Sequence, residues 1–189
     1  FGEISYLSGA VVDLPVELDI DNGNLVYVFS SKEFFVNSVP LASSGTIRAV
    51  NDSVDNVDIS VKTKRSEFKN ILTLIPGVYT QNLNEFETRG TAVIDGRIYG
   101  NSSASRSPNF DIRIDVADGY LKNPEFPEAI SGIHLDGRIV NTGGVNDSTV
   151  ITMKNGRANV GSEPLQFELE ISRPVTAMFI NLAAKGDLQ

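Results

Sequence analysis

The chain has 189 residues, 41% of them hydrophobic and 21% charged, a balance that suits one folded domain and excludes a disordered tail. Sixteen Lys and Arg against 24 Asp and Glu leave a net charge of −8 with no basic stripe, so nucleic acid is not expected as a partner. The absence of cysteine excludes disulfide scaffolds, Cys-ligated zinc and thiol catalysis, and no apolar run approaches the ~18 residues of a spanning helix.

The chain opens at Phe1-Gly2-Glu3, close to a strand-like run and with no signal peptide, a start expected of a fragment of a longer protein. A first strand is predicted where Val12, Leu14, Val16, Leu18 and Ile20 alternate with Asp13, Glu17 and Asp19, since period two puts successive side chains on opposite faces. Val57, Ile59 and Val61 alternate in the same way, as do Ala92, Ile94 and Ile98. So do Phe110, Ile112, Ile114 and Val116; Ile133, Leu135 and Ile139; and Leu165, Phe167, Leu169 and Ile171. One face of each is apolar and the other wet, the mark of antiparallel strands covered on a single side.

Turn residues fall between or within these runs, at Asp21-Asn22-Gly23, Ser44-Gly45, Asp118-Gly119, Gly143-Gly144 and Asn155-Gly156. At Asn155-Gly156 the apolar phase flips from odd (Ile151, Met153) to even (Ala158, Val160), which predicts a hairpin turn or a bulge. Asp95-Gly96 and Asp136-Gly137 leave the phase intact and are expected inside strands, where something packs close to the backbone. One segment has helical spacing instead. Phe68, Ile71, Leu72 and Ile75 predict a short amphipathic helix over about 66–76, capped by Ser66 and ended by Pro76-Gly77. The prolines of Asn123 to Ile130 mark a connection.

Catalytic chemistry finds no footing. His134, the lone histidine, stands on a wet strand face beside Asp136 and Arg138 with no nucleophile elbow. The carboxylates Asp111 with Asp115, and Glu168 with Glu170, lie where an exposed sheet face puts solubilising acids. The run from Asp19 fails as a calcium loop, with Asn24 at the sixth position and Ser30 at the twelfth. No Gly-rich phosphate loop is present, and the three sequons at Asn51, Asn101 and Asn146 carry no reading. No catalytic, metal, cofactor-binding or specific lipid-binding residue is assigned, and no cofactor is expected.

From Ser66 onward the residues resemble the AsmA-like proteins of bacterial envelopes, in the form common in Bacteroidetes. The resemblance rests on a series: "SEFKNILTLIPGVY", then "FETRGTAVIDGRIYG", then "SPNFDIRIDVADGYLKNPEFPEAISGIHLDGRIVNTGG", and last "PLQFELEISRPVTAMFINLAAKGDL". It implies a periplasmic protein held in the inner membrane by an upstream helix, whose strands curl into a taco-like apolar groove linked to outer-membrane biogenesis and lipid transport. It assigns no catalytic residue. Residues 1–65 share the strand style, and 66–188 carry the resemblance within a single β-rich domain.

The fold expected is mostly β: a curved antiparallel sheet, taco- or sandwich-like, of about nine strands with the one short helix. That much apolar face exceeds what a ten-residue helix covers, so either the sheet closes on itself or it offers a surface to phospholipid or another acyl lipid. The alternative to a lipid-binding segment is a closed β-sandwich acting as a structural or interaction module. A transmembrane β-barrel fits less well, because Trp is absent and five Tyr form no girdles.

Overall fold

The computed structural model describes residues 12–13, 15–72 and 86–186. Its strands in chain order are β1 (Val12–Asp13), β2 (Glu17–Asp21), β3 (Val26–Val36), β4 (Val39–Asn51), β5 (Val54–Thr63) and β6 (Ser66–Glu67). After helix α1 (Phe68–Leu72) come β7 (Glu87–Ser103), β8 (Asn109–Lys122), β9 (Ile130–Asn141), β10 (Thr149–Val160), β11 (Glu163–Ser172) and β12 (Phe179–Gly186). All belong to one open antiparallel sheet, ordered β3-β4-β5-β7-β8-β9-β10-β11-β12, with β1 and β2 both on the outer side of β3. β6 continues the place of β5: β5 pairs with the second half of β7, and β6 with Thr91 and Ala92. Nine strands have eight residues or more, in line with the nine read from the alternation.

Because each long strand returns beside the last, the connections alternate between two rims. One rim holds the turns at 22–25, 52–53, 104–108, 142–148 and 173–178; the other holds 37–38, α1, 123–129 and 161–162. Residues directly opposite in register share a face. Ile94, Ile114, Gly137, Met153, Leu169 and Leu182 form one such row on the apolar face. Lys62, Asp95, Arg113, Arg138, Thr152 and Glu170 form one on the opposite face.

The core lies at the α1 rim. Phe68 and Ile71 of α1 pack with Phe34, Val36, Val39, Leu41, Ala92, Ile94, Val116, Ile133 and Ala158 in one buried cluster. Val39 and Ala92 are essentially inaccessible. Burying each large aliphatic side chain here contributes about 1.5–3 kcal/mol.

Several expectations change in detail. The strand over 12–20 breaks into β1 and β2 around Pro15, which has no N–H for the ladder; the Pro15 carbonyl instead accepts from Ser31 Oγ at 2.6 Å. Ser66 is not a helix cap. It sits in β6 opposite Ala92 and its hydroxyl donates to the Lys64 carbonyl, so α1 starts at Phe68, while 73–76 lie outside the described residues. Ser44-Gly45 and Asp118-Gly119 fall within β4 and β8. Asn155-Gly156 is a bulge inside β10, between the pairs Met153–Leu169 and Gly156–Phe167, with Asn155 at φ +53°. The closed sandwich is not what the described strands form: they make one sheet, and its edge strands β2 and β12 do not pair with each other.

Candidate functional site

Away from α1 the apolar face is only partly covered by the described residues, with Val57, Asn141 and Thr149 buried at the far rim. Tyr27, Phe29, Ile47, Ile59, Ile98, Phe110, Ile139 and Ile151 are only half-buried, although their side chains are those of a core. At the two edges Leu18, Ile20, Ile180 and Leu182 are exposed. Register explains why these positions form a surface. Ile112 stands opposite Ile139, Ile139 opposite Ile151, Ile151 opposite Ile171, and Ile171 opposite Ile180. Five isoleucines, one per strand, thus cross the sheet in a straight ladder about 19 Å long at the usual strand spacing. Gly137 leaves the strip low beside it, whereas at Gly156 the Phe167 ring fills the space and would lie within 2.6 Å of a Cβ.

The opposite face is laced by ion pairs. Arg97 donates from Nε and Nη2 to Asp58 at 2.8 and 2.7 Å, and Arg138 in the same bidentate way to Asp111 at 2.8 and 2.6 Å. These hydrogen bonds hold both carboxyls below their ordinary range. Lys62 meets Asp95 at 3.2 Å. Arg89 and Arg97 lie over the rings of Tyr120 and Tyr99, an arrangement that shields aromatic surface with charge.

The residues weighed for chemistry are scattered over this wet face. His134 Nε2 is 3.3 Å from Asp118 Oδ1, with both side chains largely exposed. Asp111 is taken up by Arg138, and Asp115 stands opposite Asp136. Glu168 and Glu170 are exposed on β11. Asp21 closes its own turn, accepting from Gly23 N, Asn24 N and Asn24 Nδ2. Among the described residues no group of three or more His, Asp or Glu could hold a metal ion, and no helix is long and apolar enough to cross a membrane.

A second feature, not singled out from the sequence, occupies the rim opposite α1. A cavity of about 460 Å³ there is lined by Val54, Gly100, Asn101, Ser102, Ser103, Arg106 and Asn109. Asn109 Oδ1 is buried without a hydrogen-bond partner among the described residues. Beside it, Asn141 organises the β9–β10 loop: its Nδ2 donates to Val145 O and Thr149 Oγ1, and its Oδ1 accepts from Gly143 N and Gly144 N. The Asn-x-Gly-Gly spacing was the sequence signal for that turn. No protein-family model, no curated protein and no solved structure matches this chain.

Proposed function

We propose that this chain is a non-catalytic segment of an AsmA-like envelope protein, and that its apolar sheet face binds acyl lipid. The single observation that carries the reading is the face itself: core-type side chains aligned in cross-strand rows yet left only partly buried over most of the sheet and exposed at its edges. Contiguous apolar surface of this kind marks an interaction site, and an acyl chain needs area more than polar partners, at about 25 cal/mol per Å² buried. The isoleucine ladder, about 19 Å long, is of the order of one leaflet's hydrocarbon depth, about 15 Å. The family resemblance supplies the setting: the periplasmic side of the cell envelope, in a protein held to the inner membrane by a helix outside this chain, serving outer-membrane biogenesis.

Gentle extraction of the full-length protein followed by mass spectrometry of co-purified lipid tests the proposal. Phospholipid in near-stoichiometric amount is expected. Protein that emerges free of lipid, and stays free when offered phospholipid micelles, would count decisively against it.

A further inference from the structure

We propose that the rim opposite α1 carries a binding site for a phosphate-type oxyanion, centred on Arg106. Resting on the lipid reading above, we assign this site to the headgroup phosphate of a lipid whose acyl chain lies on the adjoining apolar face.

The cavity brings Arg106 together with Asn101, Ser102, Ser103 and Asn109, a lining rich in donors and free of carboxylate in a chain with 24 acidic residues. The nearest acid by register is Asp55, opposite Ser102, and it does not line the cavity. Arg106 makes no ion pair among the described residues. Asn101 Oδ1 accepts from Asn56 Nδ2 at 2.8 Å, which leaves the Asn101 amide nitrogen as a donor for a ligand. A guanidinium with neutral donors around it is the set that recognises phosphate.

Arg106 is also held in place. Its backbone is bridged to Ser103 by two hydrogen bonds of 2.9 and 3.3 Å, and Ser107 N donates to Gly144 O at 3.1 Å. Gly144, at φ +69°, lies against the side chain of Arg106; a Cβ there would come within 2.6 Å of Arg106 Cγ and 2.7 Å of Nε. Asn141, 4% exposed, fixes the loop that presents Gly144. A buried amide, a left-handed glycine and a guanidinium stem thus form one layered support. Gly100 and Ser102 continue the apolar-face register of Ile98, while Asn101, Ser103 and Asn109 stand in the wet-face register of Arg97 and Tyr99, so the oxyanion site straddles the rim at which the apolar rows end.

The test uses the whole chain with Arg106→Gln and Arg106→Lys, each checked for an unchanged melting transition. Side-chain amide signals of Asn101 and Asn109 are followed by NMR during titration with inorganic phosphate, and affinities are compared for short-chain phosphatidylglycerol and a diacylglycerol of the same chains. Saturable phosphate shifts are expected, weakened about tenfold or more by R106Q and less by R106K, which keeps the charge but loses the planar two-point fork. Phosphatidylglycerol should outbind the diacylglycerol on the wild type and lose that advantage in R106Q. Absence of saturable shifts, or equal phosphate affinity in R106Q, overturns the site. Diacylglycerol binding with no advantage for the phosphodiester overturns the headgroup assignment while the lipid reading stands. Phosphate binding with no affinity for either lipid overturns the lipid reading and leaves a site for free phosphate.

Discussion

Ile133 and Ile171 carry the same side chain on the same face of one sheet, and their surroundings separate two uses of it. Ile133 is 5% exposed within the α1-rim cluster, whereas Ile171 is only partly buried in the ladder. Ile133→Ala should therefore cost about 2–4 kcal/mol through lost transfer and a residual cavity. Ile171→Ala should cost less, about 1–2 kcal/mol, since water already reaches part of it, yet should reduce bound lipid. Urea unfolding with lipid quantification on the same samples measures both. Asn141 makes a different prediction. Its amide satisfies four partners from a buried position, so Asn141→Ala should cost about 1–3 kcal/mol and raise hydrogen exchange across 142–148.

Titration belongs at this scale too. Asp21, Asp58, Asp111 and Asp147 are each held below the ordinary carboxylate range, by hydrogen bonds from Asn24, Arg97, Arg138 and Thr176 respectively. A depressed folded value means the unfolded chain binds the proton more tightly, so these carboxylates stabilise the fold above their unfolded pKa. That contribution is lost as pH falls through the folded values. The thermal midpoint should thus be level from about pH 7 to 5 and decline below about pH 4. Asp147→Asn should flatten that decline, because Asp147 otherwise ties Val175, Thr176 and the β11–β12 loop to the β9–β10 loop.

At the scale of elements, β10 shows how one bulge keeps a strand in phase with its purpose. In a regular strand running through Asn155, Ala158 and Val160 would turn to the wet face; because the bulge absorbs that residue, both stay on the apolar side and Gly156 makes room for Phe167. Gly156→Val should therefore destabilise by about 1–3 kcal/mol through overpacking, with the loss seen as a lower urea midpoint at unchanged slope. This bulge, the in-strand glycines Gly96 and Gly137, and the one-sided strands were legible because each leaves a mark in the local phase of the sequence. The start of α1 was not. Ser66 looks like a cap by type, but its place opposite Ala92 in the ladder is a long-range fact. The break of the first strand had a local sign in Pro15 that the alternation around it masked.

For the molecule as a whole, alternation gave one wet and one apolar face but could not give register, and register is what makes five separate isoleucines into a line. Nor could it say that Arg106, Gly144 and Asn141, on different connections, meet at one rim. The apolar face is proposed as a lipid surface. The most direct measurement is paramagnetic broadening of methyl signals by a spin-labelled acyl lipid. Ile112, Ile139, Ile151 and Ile171 report the ladder, and Val140 and Val150, paired with each other on the opposite face, serve as neighbours of reversed orientation. Selective broadening of the isoleucines, with both valines spared, is the predicted result. Equal broadening of the two sets, or none in either, would contradict it.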